Sequence, residues 1–211
     1  MKTVFYLIRH GESLANAQNR LCGHADFDLT DLGRQQAECT AQLLQDVQVD
    51  AVLSSDLKRA YHTAKAVADR KGLTVETDPG FREIFVGPWE GQLETDVIAR
   101  EPEVLAAWRK SLQHVPGGES VAELYDRVKG ALDRAAVKYA GKSIVIATHA
   151  TPIRVLSCVL AGKPLSFAAN IHPVSNASVT KIVFDGSVYT MESSAGDLHL
   201  GDLATRTLNT I

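Results

Sequence analysis

The sequence has little cysteine and no long apolar run. Its three cysteines, Cys22, Cys39 and Cys158, are odd in number and do not have the close spacing of metal-binding pairs. No apolar stretch approaches the roughly 20 residues that a membrane-spanning helix needs. We therefore expect neither a metal site built from cysteines nor a membrane partner.

A basic surface is also missing. The chain has 22 Lys and Arg against 25 Asp and Glu, which gives a net charge of -3 at neutral pH. Broad binding to nucleic acid needs a basic face, so this balance argues against a nucleic-acid partner. If the ligand is an anion, the positive charge that binds it must be concentrated locally.

We also expect no apolar signal segment, since Met1 and Lys2 lead directly into the first apolar run. We expect a cytoplasmic protein in a reducing compartment. The Asn176-Ala177-Ser178 sequon then has no meaning, because its glycosylation belongs to secreted chains.

What is present suits an ordinary folded domain. The 211 residues are 45% hydrophobic and 22% charged, enough for one sizeable domain and short for two. The sequence has no internal repeats, low-complexity tracts or linkers. We expect residues 1–211 to form a single domain.

Strand and helix patterns alternate along the chain. The predicted strands cover residues 3–8, 51–54, 73–77, 143–148, 179–184 and 187–192, the last two joined at Asp185-Gly186 as a hairpin. The predicted helices cover residues 30–47, 57–71, 121–135 and 153–160. These repeated units predict a three-layer α/β/α sandwich with a mostly parallel sheet and one antiparallel edge.

Two segments break this alternation. Prolines at positions 79, 88, 102 and 116 interrupt residues 80–118, which we interpret as a small lid insertion with short helices around 94–100 and 103–113. Residues 194–211 are polar, and we expect them to form a loosely held tail.

The most informative stretch ends the first predicted strand. There an apolar run delivers Arg9 and His10 into a turn at Gly11, and Asn16 follows in the next loop. In open α/β sheets, ligands bind beyond the carboxyl ends of the strands. A nucleophile and a fixed cation therefore stand where a small anion would bind.

Two later segments supply further groups that suit phosphate. Arg59 lies in the first turn of a predicted helix, where free amides and the helix dipole already favour anions. Its planar fork of donors matches phosphate oxygens. His149 ends the predicted strand 143–148, and it converges with His10 if that strand lies beside the first. Taken singly, His149 would be a structural hydrogen-bonding residue and Arg59 an ordinary surface residue.

Several motifs in a fixed order connect these segments. They are Arg9-His10-Gly11-Glu12, Asn16, Gly23, Asp26, Leu29-Thr30, Gly33, Gln36-Ala37, Ser54-Ser55, Arg59-Ala60, Thr63-Ala64, Phe81-Arg82-Glu83, Gly87, Trp89, Glu90-Gly91, Pro116-Gly117-Gly118-Glu119-Ser120 and Thr148-His149. In this order they resemble the histidine phosphatase superfamily, also called phosphoglycerate mutase-like. The resemblance runs from Lys2 to about Phe184, nearly the whole chain.

The resemblance implies a role for each catalytic residue. His10 is the nucleophile and forms a phosphohistidine, Arg9, Arg59 and His149 bind the phosphoryl oxygens, and Glu83 is the general acid and base. It assigns substrate and phosphate binding to Arg9, Asn16, Gly23, Arg59, His149 and Ala150. It implies no metal and no other cofactor.

Elementary chemistry supports these implied roles. A nucleophilic imidazole must be neutral, and neighbouring guanidinium groups lower its pKa. The same cations stabilise negative charge on the phosphoryl oxygens in the transition state. The leaving alkoxide needs a proton, which a carboxylic acid can give and later recover from water. On spacing alone, Glu12 and Glu90 are alternatives to Glu83, and the family pattern favours Glu83.

Two positions depart from the family pattern. Ala150 replaces the glycine that usually follows the second histidine, and alanine resists positive φ. Asp56 replaces a common proline and brings an anion near the pocket. We expect activity to survive both changes.

The remaining conspicuous side chains are interpreted as structural. Trp89 and Trp108 are expected to pack under the lid, and Arg109 and Lys110 to lie on a solvated helix face. Cys22 is interpreted as a small loop residue near the pocket mouth. The other histidines are expected at the surface or in packing: His24, His62, His114, His172 and His199.

The function that these observations favour is a metal-independent phosphatase acting on a small phosphorylated metabolite. A phosphoglycerate mutase is the alternative enzyme, but residues 92–115 are short for its insertion and have no Arg-Arg pair. A non-catalytic phospholigand-binding domain is the alternative of another class. Residues 87–91 and 116–120 most resemble α-ribazole phosphatases and broad-specificity phosphatases. A phosphosugar, a nucleotide-loop precursor of cobalamin and a phosphoglycerate remain open as substrates, and the hairpin edge could mediate a homodimer.

Overall fold

The computed structural model describes residues 1–111, 115–171 and 174–205. Within these ranges one sheet contains six strands. They are β1 (Thr3–Arg9), β2 (Ala51–Ser54), β3 (Val75–Thr77), β4 (Ser143–Thr148), β5 (Val179–Phe184) and β6 (Tyr189–Gly196). The strand order is β3-β2-β4-β1-β5-β6.

The sheet is parallel on one side and antiparallel on the other. Strands β1, β4, β2 and β3 run parallel to one another, whereas β5 runs antiparallel to β1 and β6 antiparallel to β5. In the parallel pairing of β1 with β4, Arg9 lies opposite Thr148. The predicted mostly parallel sheet with one antiparallel edge is therefore confirmed, and the ends of β1 and β4 lie side by side.

Helices follow the strands in the order that the sequence predicts. The described residues form α1 (Leu14–Ala17), α2 (Asp31–Leu43), α3 (Lys58–Lys71), α4 (Glu94–Arg100), α5 (Pro102–Ser111), α6 (Val121–Lys138) and α7 (Ala150–Leu160). Short 3-10 turns cover Pro79–Phe81, Gly87–Trp89, Leu165–Asn170 and Leu198–Leu203. None of the helices in the described ranges is long and apolar enough to cross a membrane.

Successive residues of the central strands face opposite sides of the sheet. Leu7 and Ile146 belong to a buried cluster with side chains of α6, α7 and the lid, whereas Ile8 and Val145 belong to a second cluster with α2 and α3. Helices thus cover both faces of the sheet. The predicted three-layer α/β/α sandwich is confirmed.

Capping residues in the local sequence determine several of the helix ends. Thr30 caps α2 through its side chain, Gly72 ends α3 in the left-handed conformation, and Ser120 forms a capping box with Glu123 at the start of α6. Helix α7 begins at Ala150, three residues before the predicted start. The reason is Pro152, which the first turn of a helix accepts because the amide there needs no helical partner.

Two predicted segments differ from the structure at their ends. The helix expected over 103–113 is described as α5 to Ser111, and residues 112–114 lie outside the described residues. The loosely held tail is wrong for residues 194–205. Leu200 is only 3% exposed, His199 Nε2 lies 2.9 Å from Thr40 Oγ1, and Gln36 Nε2 donates to the Leu203 carbonyl at 2.8 Å.

A single buried leucine and a few side-chain hydrogen bonds hold that segment against α2. Composition alone does not reveal such contacts. Residues 206–211 of the predicted tail lie outside the described residues, and the single-domain organisation of 1–211 stays a prediction.

The turn after β1 packs backbone to backbone on α2. A Cβ at Gly33 would lie 2.0 Å from the Glu12 carbonyl oxygen, and one at Gly11 would lie 2.3 Å from the Gly33 carbonyl oxygen. Gly33→Ala should therefore lower the free energy of unfolding by about 1–3 kcal/mol through overpacking. Urea denaturation would measure this change.

Gly130 provides the matched control. It lies inside α6, and the nearest atom to an added Cβ is Arg134 Nη1 at 3.7 Å. Gly130→Ala should raise the free energy of unfolding by about 0.5–1 kcal/mol, because alanine is the better helix former. Equal changes for both variants would contradict the close packing at Gly33.

Candidate active site

Arg9 and His10 lie at the carboxyl end of β1, and both are buried, at 1% and 4% exposure. The His10 amide donates to the Thr148 carbonyl at 2.9 Å, which continues the β1–β4 pairing past its last residue. The Arg9 guanidinium donates from Nη1 to the Val174 carbonyl. Sheet pairing therefore positions both residues at the edge where β1 and β4 end.

The His10 ring has a defined tautomer. Its Nδ1 lies 2.7 Å from the Gly11 carbonyl oxygen, which can only accept, so Nδ1 carries the proton and Nε2 keeps its lone pair. Burial, with further contributions from Arg59 and Arg9, lowers the pKa of His10 well below its usual value. The ring is therefore neutral, and Nε2 is the nitrogen that keeps a lone pair.

His149 comes directly before α7 and faces His10. Their ring centroids lie 5.1 Å apart in an edge-to-face arrangement. His149 Nε2 lies 2.9 Å from Ser55 Oγ, and among the described residues its buried Nδ1 has no hydrogen-bond partner. Burial, followed by Arg59 and His10, lowers the pKa of His149 well below its usual value. The predicted convergence of the two histidines is confirmed.

Arg59 lies in the first turn of α3 and is buried. Its Nη1 donates to the Ala25 carbonyl at 2.9 Å and its Nη2 to the Gly23 carbonyl at 2.7 Å. One turn along α3, Thr63 Oγ1 accepts from the Gly11 amide at 3.0 Å. The loop after α1, the start of α3 and the turn after β1 are thus joined around Arg59.

Gly23 has a left-handed backbone conformation. Its φ is +44°, and an added Cβ would lie 2.0 Å from Glu90 Oε1. Only glycine adopts this backbone conformation in so little space. The structure thus brings the predicted residue Gly23 into contact with Arg59 through its carbonyl.

Glu83 is the buried carboxylate of the site, at 3% exposure. Its Oε1 accepts from the Ile84 amide at 2.8 Å and its Oε2 from the Thr151 amide at 3.4 Å. Burial lowers the pKa of Arg9 to about 10, and the charge of Glu83 opposes that shift. Glu83 therefore lies close enough to Arg9 for their charges to interact.

The two alternative carboxylates are used by the local structure. Glu90 accepts hydrogen bonds from the amides of His24 and Val86 at 2.8 and 3.2 Å, and from the amide of Ala25. Glu12 is partly exposed and accepts from Thr30 Oγ1 at 2.8 Å. Of the three carboxylates, Glu83 is the one that reaches α7 beside His149.

Asn16 is oriented by its hydrogen bonds. Its Oδ1 accepts from the Ser13 amide at 3.0 Å and from Asn176 Nδ2 at 3.4 Å. Asn176 Nδ2 also donates to the His10 carbonyl at 3.0 Å, and the Ala177 amide donates to the same carbonyl at 3.2 Å. Asn176, to which the sequon interpretation gave no meaning, is therefore buried beside His10.

Sequence reasoning missed Asn176 and also Arg154. Arg154 lies on α7, five residues after His149, and its Nη2 donates to the Ala169 carbonyl at 2.6 Å. Burial lowers the pKa of Arg154, and Glu83 opposes the shift. A signal for Asn176 was available, because the start of an antiparallel β5 must lie at the carboxyl end of β1.

Both departures from the family pattern are accommodated. Ala150 is the first residue of α7, where the backbone is helical and needs no positive φ. Asp56 accepts from Arg82 Nε at 2.7 Å and from Arg82 Nη2 at 2.5 Å, and this pairing lowers the pKa of Asp56. The extra anion is therefore paired with the residue that precedes Glu83.

The side chains interpreted as structural have defined contacts. Trp89 and Trp108 are buried edge to face with centroids 5.6 Å apart, which confirms their packing role. Cys22 is buried and donates from Sγ to the Ala25 carbonyl at 3.4 Å. Arg109 forms an ion pair with Glu94 rather than lying free on a helix face.

The remaining histidines divide in three ways. His62 Nδ1 lies 2.6 Å from Asp28 Oδ1, and His199 contacts Thr40. His24 Nε2 lies 2.8 Å from the Glu83 carbonyl oxygen, so it packs against the main chain that carries Glu83. His114 and His172 lie outside the described residues. Across residues 1–111, 115–171 and 174–205, no group of three or more His, Cys, Asp or Glu is placed to hold a metal ion.

Comparison with known proteins finds related chains of similar length. The family model of the histidine phosphatase superfamily (branch 1) matches residues 5–195. Phosphoserine phosphatase 1 of Hydrogenobacter thermophilus is 38% identical over 162 residues, covering 76% of this chain and 77% of that protein. Phosphoglycerate mutase-like protein 4 of Arabidopsis thaliana is 37% identical over 200 residues, covering 92% and 85%.

Solved structures with the same fold are also found. The α-ribazole phosphatase of Shigella flexneri superimposes with a TM-score of 0.81 at 31% sequence identity, covering 92% of this chain and 96% of that one. Both the sequence motifs and the arrangement of strands and helices are therefore similar to those of phosphatases and a mutase-like protein.

The lowered pKa values of His10 and His149 predict a titration that NMR can observe. Because both pKa values lie well below the usual value, the two rings should stay neutral when the pH falls through about 6.5, where an ordinary histidine gains its proton. Nitrogen-15 spectra of the histidine rings should show His10 with its proton on Nδ1. The urea-unfolded protein serves as the control, and a folded His10 or His149 signal that titrates near pH 6.5 would refute the assignment.

Proposed function

Because this chain belongs to branch 1 of the histidine phosphatase superfamily, we propose that it is a phosphatase that hydrolyses small phosphomonoesters through a phosphohistidine on His10. The observation that carries the proposal is the neutral, buried His10 ring, whose Nδ1 is held by the Gly11 carbonyl so that Nε2 keeps its lone pair. A nucleophile of this kind needs no base to activate it.

Substrate binding would depend on buried positive charge. Arg9 and Arg59 flank His10 closely enough to lower its pKa, so an anion beside His10 meets both guanidinium groups. His149 supports the same role, because a neutral ring that accepts from Ser55 carries its proton on Nδ1 and can donate it to a phosphoryl oxygen. Charges removed from water act more strongly on such a ligand than surface charges do.

The first chemical step would transfer the phosphoryl group to the protein. His10 Nε2 attacks phosphorus, the bond between phosphorus and the ester oxygen breaks, and Glu83 gives its proton to that oxygen. The alcohol leaves and a phosphohistidine remains. Arg9, Arg59 and His149 stabilise the charge that spreads over the phosphoryl oxygens in the transition state.

The second step would return the protein to its starting state. A water molecule attacks phosphorus and gives a proton to the Glu83 carboxylate, and the bond between nitrogen and phosphorus breaks. Inorganic phosphate leaves, Glu83 is protonated again and His10 is neutral. The proposed phosphate-binding set also includes Asn16, Gly23 and Ala150. Asn16 lies at the end of α1, Gly23 lies in the loop that contacts Arg59, and Ala150 begins α7 directly after His149.

Fixed guanidinium groups supply the charge that a metal ion supplies in other phosphoryl-transfer enzymes, so we propose that the reaction is independent of metal. A cytoplasmic location and a small phosphorylated metabolite as ligand belong to the same proposal. The free thiols of Cys22, Cys39 and Cys158 are in keeping with a reducing compartment. A homodimer through the hairpin edge stays a prediction.

Hydrolysis is favoured over a mutase reaction by the lid. Mutases of this family clamp the substrate carboxylate with adjacent arginines, and residues 92–115 have no such pair. Arg109, an arginine of this span, is engaged by Glu94. A lid without a carboxylate clamp lets the product alcohol depart and admits water to the phosphohistidine.

Hydrolysis of p-nitrophenyl phosphate in excess chelator tests the nucleophile. Wild-type activity should persist in chelator, and His10→Ala should lower kcat/KM by at least about 10⁴-fold, because no other group replaces the nucleophile. His62→Gln is the matched control, since His62 pairs with Asp28 away from His10, and its activity should be unchanged. Activity that survives His10→Ala or disappears in chelator would contradict the proposal.

Release of phosphate distinguishes the two enzyme alternatives. With 3-phosphoglycerate as substrate, we expect inorganic phosphate to exceed 2-phosphoglycerate among the products, because water has access to the intermediate. Efficient interconversion with little phosphate release would establish a mutase. Binding of phosphate esters by the pure protein without any turnover would indicate a non-catalytic phospholigand-binding domain.

A further inference from the structure

The segment that carries Glu83 has no regular secondary structure. Residues 82–86 lie between the 3-10 turns Pro79–Phe81 and Gly87–Trp89. The Glu83 carboxylate is held by two main-chain amides, one of them from the next residue of the same segment. The position of the carboxylate therefore depends on whatever fixes the main chain around Glu83.

Arg127 of α6 reaches this main chain at several points. Its Nη1 donates to the carbonyls of Gly80 and Arg82, each at 3.0 Å, and its Nη2 donates to the Glu83 carbonyl at 3.0 Å. A guanidinium group has five donors in one rigid plane, so a single side chain can hold several carbonyls in a fixed arrangement. Arg127 thus ties the regular structure of α6 to the irregular segment.

Glu119 holds Arg127 from the other side. Its two oxygens accept from Arg127 Nε at 2.8 Å and from Nη2 at 2.7 Å. Glu119 also pairs with Phe85 through the main chain and the side chain. The Glu119 amide donates to the Phe85 carbonyl at 2.8 Å, and the Phe85 amide donates to Glu119 Oε2 at 3.1 Å.

The glycines before Glu119 permit this contact. A Cβ at Gly118 would lie 2.8 Å from the Phe85 carbonyl oxygen, so a larger residue would push the two segments apart. The Gly117-Gly118-Glu119 motif, which matches the family but has no role in the phosphoryl-transfer steps, therefore lies against the acid segment.

We propose that Arg127, held by Glu119, is the positioning residue for the general acid Glu83. The inference rests on the acid role given to Glu83 above. Arg127 contacts main-chain carbonyls and Glu119, so it acts through Glu83 and not on the reacting atoms. His24 contacts the same Glu83 carbonyl at 2.8 Å from the opposite loop and completes the support.

The leaving group distinguishes positioning from general stability. Protonation by Glu83 matters most when the leaving oxygen is strongly basic and least when it is a nitrophenolate. A displaced acid therefore slows esters of basic alcohols selectively. A residue that only stabilises the fold would affect all substrates equally, through the fraction of folded protein.

The experiment compares kcat/KM for p-nitrophenyl phosphate, phenyl phosphate and β-glycerol phosphate, whose leaving groups become progressively more basic. Arg127→Gln should lower kcat/KM on β-glycerol phosphate on the order of 10–100-fold, the size expected for a misplaced catalytic group, with little change on p-nitrophenyl phosphate. Arg127→Lys should recover little of the loss, because an ammonium group cannot span the same carbonyls. Glu119→Gln should show a smaller loss of the same selectivity.

Arg134→Gln is the matched control. Arg134 lies on α6 and pairs at the surface with Asp78 at 2.8 Å. Its replacement should leave the ratios of kcat/KM among the three substrates unchanged. If Arg127→Gln does not fold, the same three values of kcat/KM are measured for Arg127→Lys and Glu119→Gln.

Glu83→Gln distinguishes a failure of the acid role of Glu83 from a failure of the positioning role of Arg127. If Glu83→Gln shows no dependence on the leaving group, the acid assignment fails and the proposed function must change. If Glu83→Gln shows that dependence while the folded Arg127 and Glu119 variants lose activity equally on all three substrates, or lose none, the positioning role of Arg127 is wrong.

Discussion

The buried positive charge around His10 is the constraint on which the rest of the site depends. Arg9 and Arg59 are removed from water, and burial, with smaller contributions from Arg59 and Arg154, lowers the pKa of Arg9 to about 10 despite the nearby Glu83. Such charges are tolerated only when the protein replaces their hydration. Main-chain carbonyls of irregular loops do this, including those of Val174, Gly23 and Ala25. The loops around the site therefore have their particular course because their carbonyls face two guanidinium groups.

Burial, with a further contribution from the same cations, lowers the pKa values of His10 and His149. The sheet determines where the two rings meet. The pairing of Arg9 with Thr148 aligns the ends of β1 and β4. The residues that follow, His10 and His149, therefore lie next to each other. Asn176 reaches this point from the start of β5, and Thr63 from the second turn of α3. The site is thus formed by strand ends and a helix start that regular secondary structure already positions, whereas Glu83 lies on a segment that needs side-chain support.

Much of the fold followed from the sequence, because strands β2 and β4 are short apolar runs with clear ends and Ser120 begins α6 with a capping box. The motifs also indicated His10, His149, Arg9, Arg59 and Glu83, and the structure brings these side chains together. Contacts between segments far apart in sequence could not be predicted in the same way. Neither the pairing of Asn176 with the His10 carbonyl nor the contacts of Arg127 with the carbonyls of Gly80, Arg82 and Glu83 leave a periodic pattern. The packing of Leu200 on α2 depends on a single apolar residue in a polar stretch.

The strand order has a consequence for how the chain folds. Strand β1 is the first to be synthesised, yet its two neighbours in the sheet are β4 and β5, which begin at Ser143 and Val179. Its pairing is therefore made of contacts of high sequence separation, the kind that forms slowly. On the ribosome, the edge that bears Arg9 and His10 cannot be closed until the chain has been made as far as Phe184. A nascent chain or fragment that ends before β5 therefore lacks one of the two neighbours of the strand that bears Arg9.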